Sequence, residues 1–284
     1  MIGGGLMGSG IAEVSAAAGL SVVVREVDEQ AAAGARSRVE ESLARAVTRS
    51  KVSQQAAQDA LERIEFTSHL HELADVDLVI EAVPEDAALK TAVLAEVADV
   101  VEPHTLIASN TSSIPIAQLA AAVPDASRVL GLHFFSPVPV MGLVELVVAL
   151  DTSPETVERA REFIERLGKT AIETKDRSGF IVNMLLVPYL MAAVRMYEEG
   201  FATREAIDEG MKLGCGHPMG PLTLCDFIGI DVIYSVCDEL YEEFKRPEYA
   251  PPPLLKRMVA SGRLGRKTGR GFYEYAPSRP PVPA

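Results

Sequence analysis

The chain has no tryptophan and only three cysteines in 284 residues, and its aromatic content is 6%. Cys215, Cys225 and Cys237 are too few and too scattered for a disulfide framework. No CxxC or mixed Cys/His spacing marks a metal site, so reduced, mostly buried thiols and no metal are expected. Basic residues are also scarce: 27 Lys and Arg stand against 40 Asp and Glu, a formal charge of -13 at pH 7. That balance argues against a general nucleic-acid binder, which neutralises phosphates with clustered cations. It leaves room for one anionic small molecule held by a local group of Arg and Lys. No apolar run approaches the ~20 residues of a membrane helix. Met1 to Ala18 are rich in glycine and alanine, with no basic segment ahead of an apolar core, so no secretory signal and no membrane partner are expected. A cytoplasmic protein fits these absences.

What is present alternates between two periodicities. In the first half, short β-branched runs at Ser21–Val24, Asp77–Ala82, Leu106–Ser109, Arg128–Phe134 and Leu143–Val148 read as strands. Alanine-rich stretches between them, Glu29–Lys51 and Ala87–Val101, read as helices. Strands alternating with helices imply a mostly parallel sheet covered on both faces. After the Thr170–Gly179 segment the strand signal fades. Phe180–Glu199, Arg204–Leu213 and Leu222–Phe244 read as helices, the last broken at Gly229, and Pro251–Pro253 marks a turn before a final helix. Arg279–Ala284 reads as a frayed tail. The expected architecture is α/β, a doubly wound sheet over residues 1–175, followed by an all-α domain over 176–284, with the boundary near Asp176.

Gly3-Gly4-Gly5-Leu6-Met7-Gly8 fits G-x-G-x-x-G. In that motif the first glycine permits a tight turn and the second admits a pyrophosphate close to the backbone. The third lets the helix pack against its strand, its N-terminal dipole facing the phosphates. Glu26 follows at the end of the next expected strand, at about the separation at which an acidic group meets the ribose hydroxyls. A carboxylate there repels a 2′-phosphate, which favours NAD over NADP, although the neighbouring Arg25 works the other way. The fingerprint normally follows a strand, and here only Met1 and Ile2 precede it. The first strand of the Rossmann-type sheet is therefore expected to be truncated, exposing sheet edges and apolar surface.

Further motifs follow in order: Ala108-Ser109-Asn110-Thr111-Ser112-Ser113, Gly131-Leu132-His133-Phe134-Phe135-Ser136-Pro137, Gly179-Phe180-Ile181-Val182-Asn183, His217-Pro218-Met219-Gly220-Pro221 and Lys267-Thr268-Gly269-Arg270-Gly271-Phe272-Tyr273. With the glycine turn they make the chain, from Gly3 to Tyr275, resemble the 3-hydroxyacyl-CoA dehydrogenase family, including bacterial 3-hydroxybutyryl-CoA enzymes. The resemblance implies NAD-dependent interconversion of an L-3-hydroxyacyl-CoA, short-chain by the nearest likeness, with its 3-ketoacyl-CoA; the alternatives are a dehydrogenase of a free hydroxy acid or sugar acid, or a catalytically idle cofactor-binding protein. It also implies a homodimer through the helical domain, where Leu185, Leu186, Leu190 and Met191 supply more apolar surface than one cleft needs.

Site residues are read partly from chemistry and partly from the resemblance. Oxidising a secondary alcohol requires a base for its proton. His133 lies at a strand end in an apolar run, where a polar side chain is costly unless paired, and Glu145 lies at a second strand end. The resemblance makes His133 the base and Glu145 its orienting carboxylate. It makes Ser112 and Asn183 the groups that fix the substrate, although Ser112 also suits a helix cap and Asn183 an interhelical hydrogen bond. Gly3, Gly5, Leu6, Met7, Gly8, Glu26, Glu85, Lys90, Asn110, Ser112, Ser136 and Lys267 are the implied NAD contacts. Ser42, Arg49 and Ser112 are the implied contacts of the CoA substrate, within a basic stretch that also holds Arg36, Arg38, Arg45 and Lys51. Two positions depart from the family: Ser136 replaces a frequent asparagine and Gly142 a frequent lysine.

Overall fold

The computed structural model describes residues 1–275; the expected tail at Arg279–Ala284 lies outside the described residues. The first unit, Met1–Phe180, begins with α1 (Leu6–Ala17), β1 (Val22–Arg25), α2 (Glu29–Thr48), α3 (Gln54–Glu62) and β2 (Ile64–Thr67). It continues through β3 (Leu78–Glu81), α4 (Ala87–Val100), β4 (Leu106–Ser109), α5 (Ile116–Ala120), β5 (Val129–Phe134), β6 (Leu143–Val148), α6 (Pro154–Arg166) and β7 (Thr170–Lys175). The second unit starts at Ile181. It contains α7 (Val182–Glu198), α8 (Arg204–Cys215), α9 (Pro221–Ile228), α10 (Ile230–Phe244) and α11 (Pro253–Ala260).

Local chemistry sets the helix starts. Asp28, Ser53, Asp86 and Ser153 each accept from a backbone N–H three residues on, opening α2, α3, α4 and α6. A cap of this kind contributes about 1 kcal/mol. Strand alternation then sends successive side chains to opposite faces. Leu130, Leu132, Val144 and Leu146 pack against Ile11, Val39 and Ile164 of α1, α2 and α6. Val79, Ile107, Val129 and Val147 pack on the other face against Leu94 and Leu119 of α4 and α5. The result is a sheet with helices on both faces, as expected.

The sheet is parallel except where β5 and β6 pair antiparallel. Its strands fall into two groups, β1-β2 and β3-β4-β5-β6-β7. Between them run Met1 and Ile2. Ile2 bridges Arg25 on one side and Glu81 on the other. Its N–H donates to Ile80 O at 2.9 Å and its carbonyl accepts from Ala82 N at 2.8 Å. Met1 O accepts from Arg25 N at 2.8 Å. Beyond these residues a cavity of about 1090 Å³ opens, with Ile11, Val22, Ile64, Phe66, Ile80 and Phe163 among its walls.

Several elements differ from the sequence reading. The short α3 and β2, the helix α6 and the strand β7 were not among the expected elements. β7 is an edge strand whose side chains are mostly exposed, so its sequence lacks the apolar signature of its neighbours. The helix expected to start at Phe180 starts at Val182, because Gly179 and Phe180 take the left-handed conformation at φ 80 and φ 47. The division between units falls after Phe180. Asp176 belongs with the sheet because its carboxylate accepts from Ile116 N and Ala117 N at 2.8 and 2.7 Å, capping α5. Phe180 is buried in the core beneath that face.

The second unit packs Val187, Leu190, Met191 and Val194 of α7 against Leu222, Ile233, Leu240 and Leu255 of the later helices. Gly229, at φ 111, breaks the expected long helix into α9 and α10. Cys225 and Cys237 are buried in this core and Cys215 is exposed. Among the described residues no helix is long and apolar enough to cross a membrane.

Candidate active site

The glycine turn joins Met1 and Ile2 to α1. Gly3 sits at φ 84, and a side chain there would press on Ala82 O at 2.9 Å. Gly8 is tighter still, because a Cβ would lie 1.8 Å from Gly3 O. Gly5 has no atom within 4 Å of where its side chain would be, leaving its backbone open to approach. Gly5 is also the N-cap of α1 and supplies no side-chain cap, so the helix N-terminus is offered outward with Leu6, 74% exposed, and Met7 on its first turn. Glu26 Oε1 accepts from Gly4 N at 2.6 Å, and Arg38 donates to Gly4 O at 2.9 Å. The acidic group therefore stands at the turn, as a ribose ligand requires. These residues fit a dinucleotide.

A second loop follows β4. Asn110 Oδ1 accepts from Phe134 N at 2.9 Å, tying the end of β4 to the end of β5. Glu85 Oε1 gathers the loop by accepting from Ser112 N at 2.8 Å and from the hydroxyls of Thr111 and Ser113. Burial acts to raise the Glu85 carboxyl, but Lys90, the Thr111 hydroxyl and the Ser112 N–H outweigh it and hold it below its ordinary value. Lys90 is 1% exposed and is ion-paired to Glu81 at 2.7 Å and Glu85 at 3.2 Å. The direct cofactor contact expected of Lys90 finds no exposed ammonium; the residue holds Glu85 instead.

His133 and Glu145 lie directly opposite one another in the β5–β6 ladder. Cross-strand neighbours are ~5 Å apart at Cβ, close enough for their side chains to bond. Nδ1 of His133 is 2.6 Å from Glu145 Oε2, and both side chains are buried. A carboxylate only accepts, so Nδ1 carries a proton, and in the neutral ring Nε2 is the atom with the lone pair. Phe135 and Phe180 wall the imidazole at 4.5 and 5.5 Å between ring centres. The pair sits at the strand ends beside the Ser112 loop.

The remaining positions are more scattered. Ser136 is exposed just beyond β5, and Gly142 is exposed before β6. Ser42 is half-buried on α2 and hydrogen-bonds Glu13, whose carboxyl burial raises against that bond and the nearby Arg45. Arg49 is exposed at the C-cap of α2. Of the basic stretch, Arg38 is drawn to the glycine turn and Arg36 lies over the Phe66 ring at 4.9 Å. Asn183 and Lys267 belong to the second unit: Asn183 is half-buried in the first turn of α7, and Lys267 pairs with Asp231 at 2.6 Å. Among the described residues no group of three or more His, Cys, Asp or Glu is placed to hold a metal. The sequence reading missed Glu81, and it placed Arg38 in the basic stretch for CoA rather than at the glycine turn. Glu81 carried the same signal as His133, a charged side chain closing an apolar strand.

Sheet topology and glycine turn place the first unit among the dinucleotide-binding α/β domains. The comparisons narrow this. Residues 1–177 match the 3-hydroxyacyl-CoA dehydrogenase NAD binding domain, and residues 179–275 match the C-terminal domain of the same enzymes. The chain belongs to the 3-hydroxyacyl-CoA dehydrogenase family. It is 52% identical over 277 residues to a 3-hydroxybutyryl-CoA dehydrogenase of Mycobacterium tuberculosis, covering 97% of both chains. The crystal structure of M. tuberculosis FadB2 superposes with a TM-score of 0.95 at 53% identity, over 97% of each chain. That of the (S)-3-hydroxybutyryl-CoA dehydrogenase PaaH1 from Ralstonia eutropha gives 0.91 at 44% identity, again over 97% of each.

Replacing Gly8 by alanine drives a methyl into backbone, a clash that costs ~1–3 kcal/mol when the structure yields. Gly8→Ala should weaken NADH binding by roughly tenfold or more in a fluorescence titration; a change under about twofold would count against the tight turn.

Proposed function

We propose that this protein interconverts L-3-hydroxyacyl-CoA and 3-ketoacyl-CoA with NAD(H), with a preference for short acyl chains such as 3-hydroxybutyryl. The observation that carries the reading is the bond between His133 Nδ1 and Glu145, which leaves Nε2 as a proton acceptor at the strand ends of a dinucleotide-binding sheet. When bound, NAD supplies the acceptor for the hydride from C3. His133 takes the hydroxyl proton at Nε2. Glu145 fixes the imidazole tautomer and stabilises the charge that forms on the ring. Phe135 and Phe180 keep water from the ring, and Ser112 holds the substrate oxygen. Ser42 and Arg49 meet the CoA phosphates. In the reductive direction the imidazolium returns the proton.

The cofactor contacts in this reading are Gly3, Gly5, Leu6, Met7, Gly8, Glu26, Asn110 and Ser112, with Ser136 as an outlying member. Glu85 contributes by shaping the Ser112 loop. Glu26 gives NAD its advantage over NADP, because a 2′-phosphate would meet a carboxylate already fixed at the turn.

Removing the base should lower kcat for acetoacetyl-CoA reduction by ~10²–10⁴ while NADH still binds. A His133→Gln protein as fast as the parent ends the assignment.

A homodimer through the helical domain is part of the same proposal. Leu190 and Met191, expected to contribute, are consumed by the domain's own core, whereas Leu185, Phe201 and Leu213 are 72%, 79% and 82% exposed. These exposed apolar side chains are the support for the dimer reading. Light scattering at micromolar concentration should give twice the chain mass, and Leu185→Asp should reduce it; a monomer mass for the parent would refute the dimer.

A further inference from the structure

Beneath the Ser112 loop lies a buried group of charges that the reaction itself does not use. Glu81 closes β3 and is fully enclosed. Its Oε1 accepts from Val83 N at 2.6 Å and from Lys90 Nζ at 2.7 Å, and its Oε2 accepts from the Ser109 hydroxyl at 2.6 Å. Ser109 Oγ in turn accepts from Thr111 N at 3.3 Å. The Glu81 carbonyl accepts from Asn110 N at 2.8 Å, so backbone and side chain of one residue both reach the start of the loop.

Lys90 carries the connection further. Its ammonium donates to Glu81, meets Glu85 at 3.2 Å and donates to Val83 O at 3.1 Å. Glu85 then holds Ser112 by its backbone N–H. A single cation thus bridges a carboxylate locked under the sheet and a carboxylate that grips the loop. Breaking a buried pair by removing one partner leaves an uncompensated charge, which is far more disruptive than neutralising both.

We propose that Glu81 is a positioning residue of the dehydrogenase site, setting the Ser112 loop through Ser109 directly and through Lys90 and Glu85. The proposal rests on the dehydrogenase reading above. Displacing a substrate-holding group by ~1 Å can cost on the order of 100-fold in rate, so the loop has little tolerance. The same chain of contacts passes from Asn110 to Phe134, the residue after His133, so Glu81 also steadies the register between loop and base.

The test compares the parent with Glu81→Gln, Lys90→Met, the double variant and Ser109→Ala, using acetoacetyl-CoA and NADH. Amide exchange at Ser112 and Ser113 is followed in parallel. Glu81→Gln and Lys90→Met should lower kcat by roughly 10–100-fold, with KM for NADH within about threefold of the parent and faster exchange in the loop. The double variant removes both the cation and its buried partner, and should recover at least about fivefold over Lys90→Met. Ser109→Ala, which only trims a hydroxyl, should lose several-fold in kcat. A Glu81→Gln kcat within twofold of the parent with unchanged exchange overturns the proposal, as does a double variant no better than Lys90→Met. If the charge variants do not fold, a Ser109→Ala protein with parental kcat and exchange overturns it. A parent that fails to reduce acetoacetyl-CoA strikes the dehydrogenase reading, whereas the loop exchange still decides the role of Glu81.

Discussion

A strand side chain has one face and one set of neighbours, so the antiparallel register of β5 and β6 decides what His133 can touch. Shifting that register by one residue would put Val144 or Leu146 opposite the imidazole and turn Glu145 to the other face. Both faces of the sheet are packed with apolar side chains, and a slip would bury a carboxylate among Ile11, Val39 and Ile164. The hydrophobic core therefore fixes the register, and the register fixes the tautomer of the histidine. Chemistry at the sheet edge is inherited from packing in its middle.

The same edge is organised by buried charge. Parallel strands end together, and their terminal carbonyls and side chains converge where ligands bind in doubly wound folds. Here Glu81, Lys90 and Glu85 fill the space under the β4 loop. Asn110 ties that loop to β5. The glycine turn is secured independently by Glu26 and Arg38. Each loop is held by side chains of a neighbouring element, so the strand ends form one scaffold whose parts do not rely on loop stiffness.

Much of this was legible in the amino-acid sequence. Strands buried on both faces announce themselves as apolar runs, and a His or Glu inside such a run draws attention because burial without a partner is costly. Gly3 and Gly8 were legible because close backbone approach tolerates no side chain. What escaped depends on contacts distant in sequence. β7 lies at an edge with exposed side chains and shows no apolar run. Lys90 looks like a helix-surface charge until the fold closes over it. The apolar surplus of α7 was visible, but its division between core and surface was not, since Leu185 and Leu190 differ only in the side of the helix they occupy. Phe180 escaped as a helix breaker because a left-handed backbone is rare in a bulky residue and nothing in its side chain announces it.

Ile2 is paired on both sides, to Arg25 of β1 and to Glu81 of β3, and the glycine turn follows it directly. A molecule that grips this turn therefore pulls on backbone held by both strand groups at once, and its binding energy is added to the cohesion of the sheet.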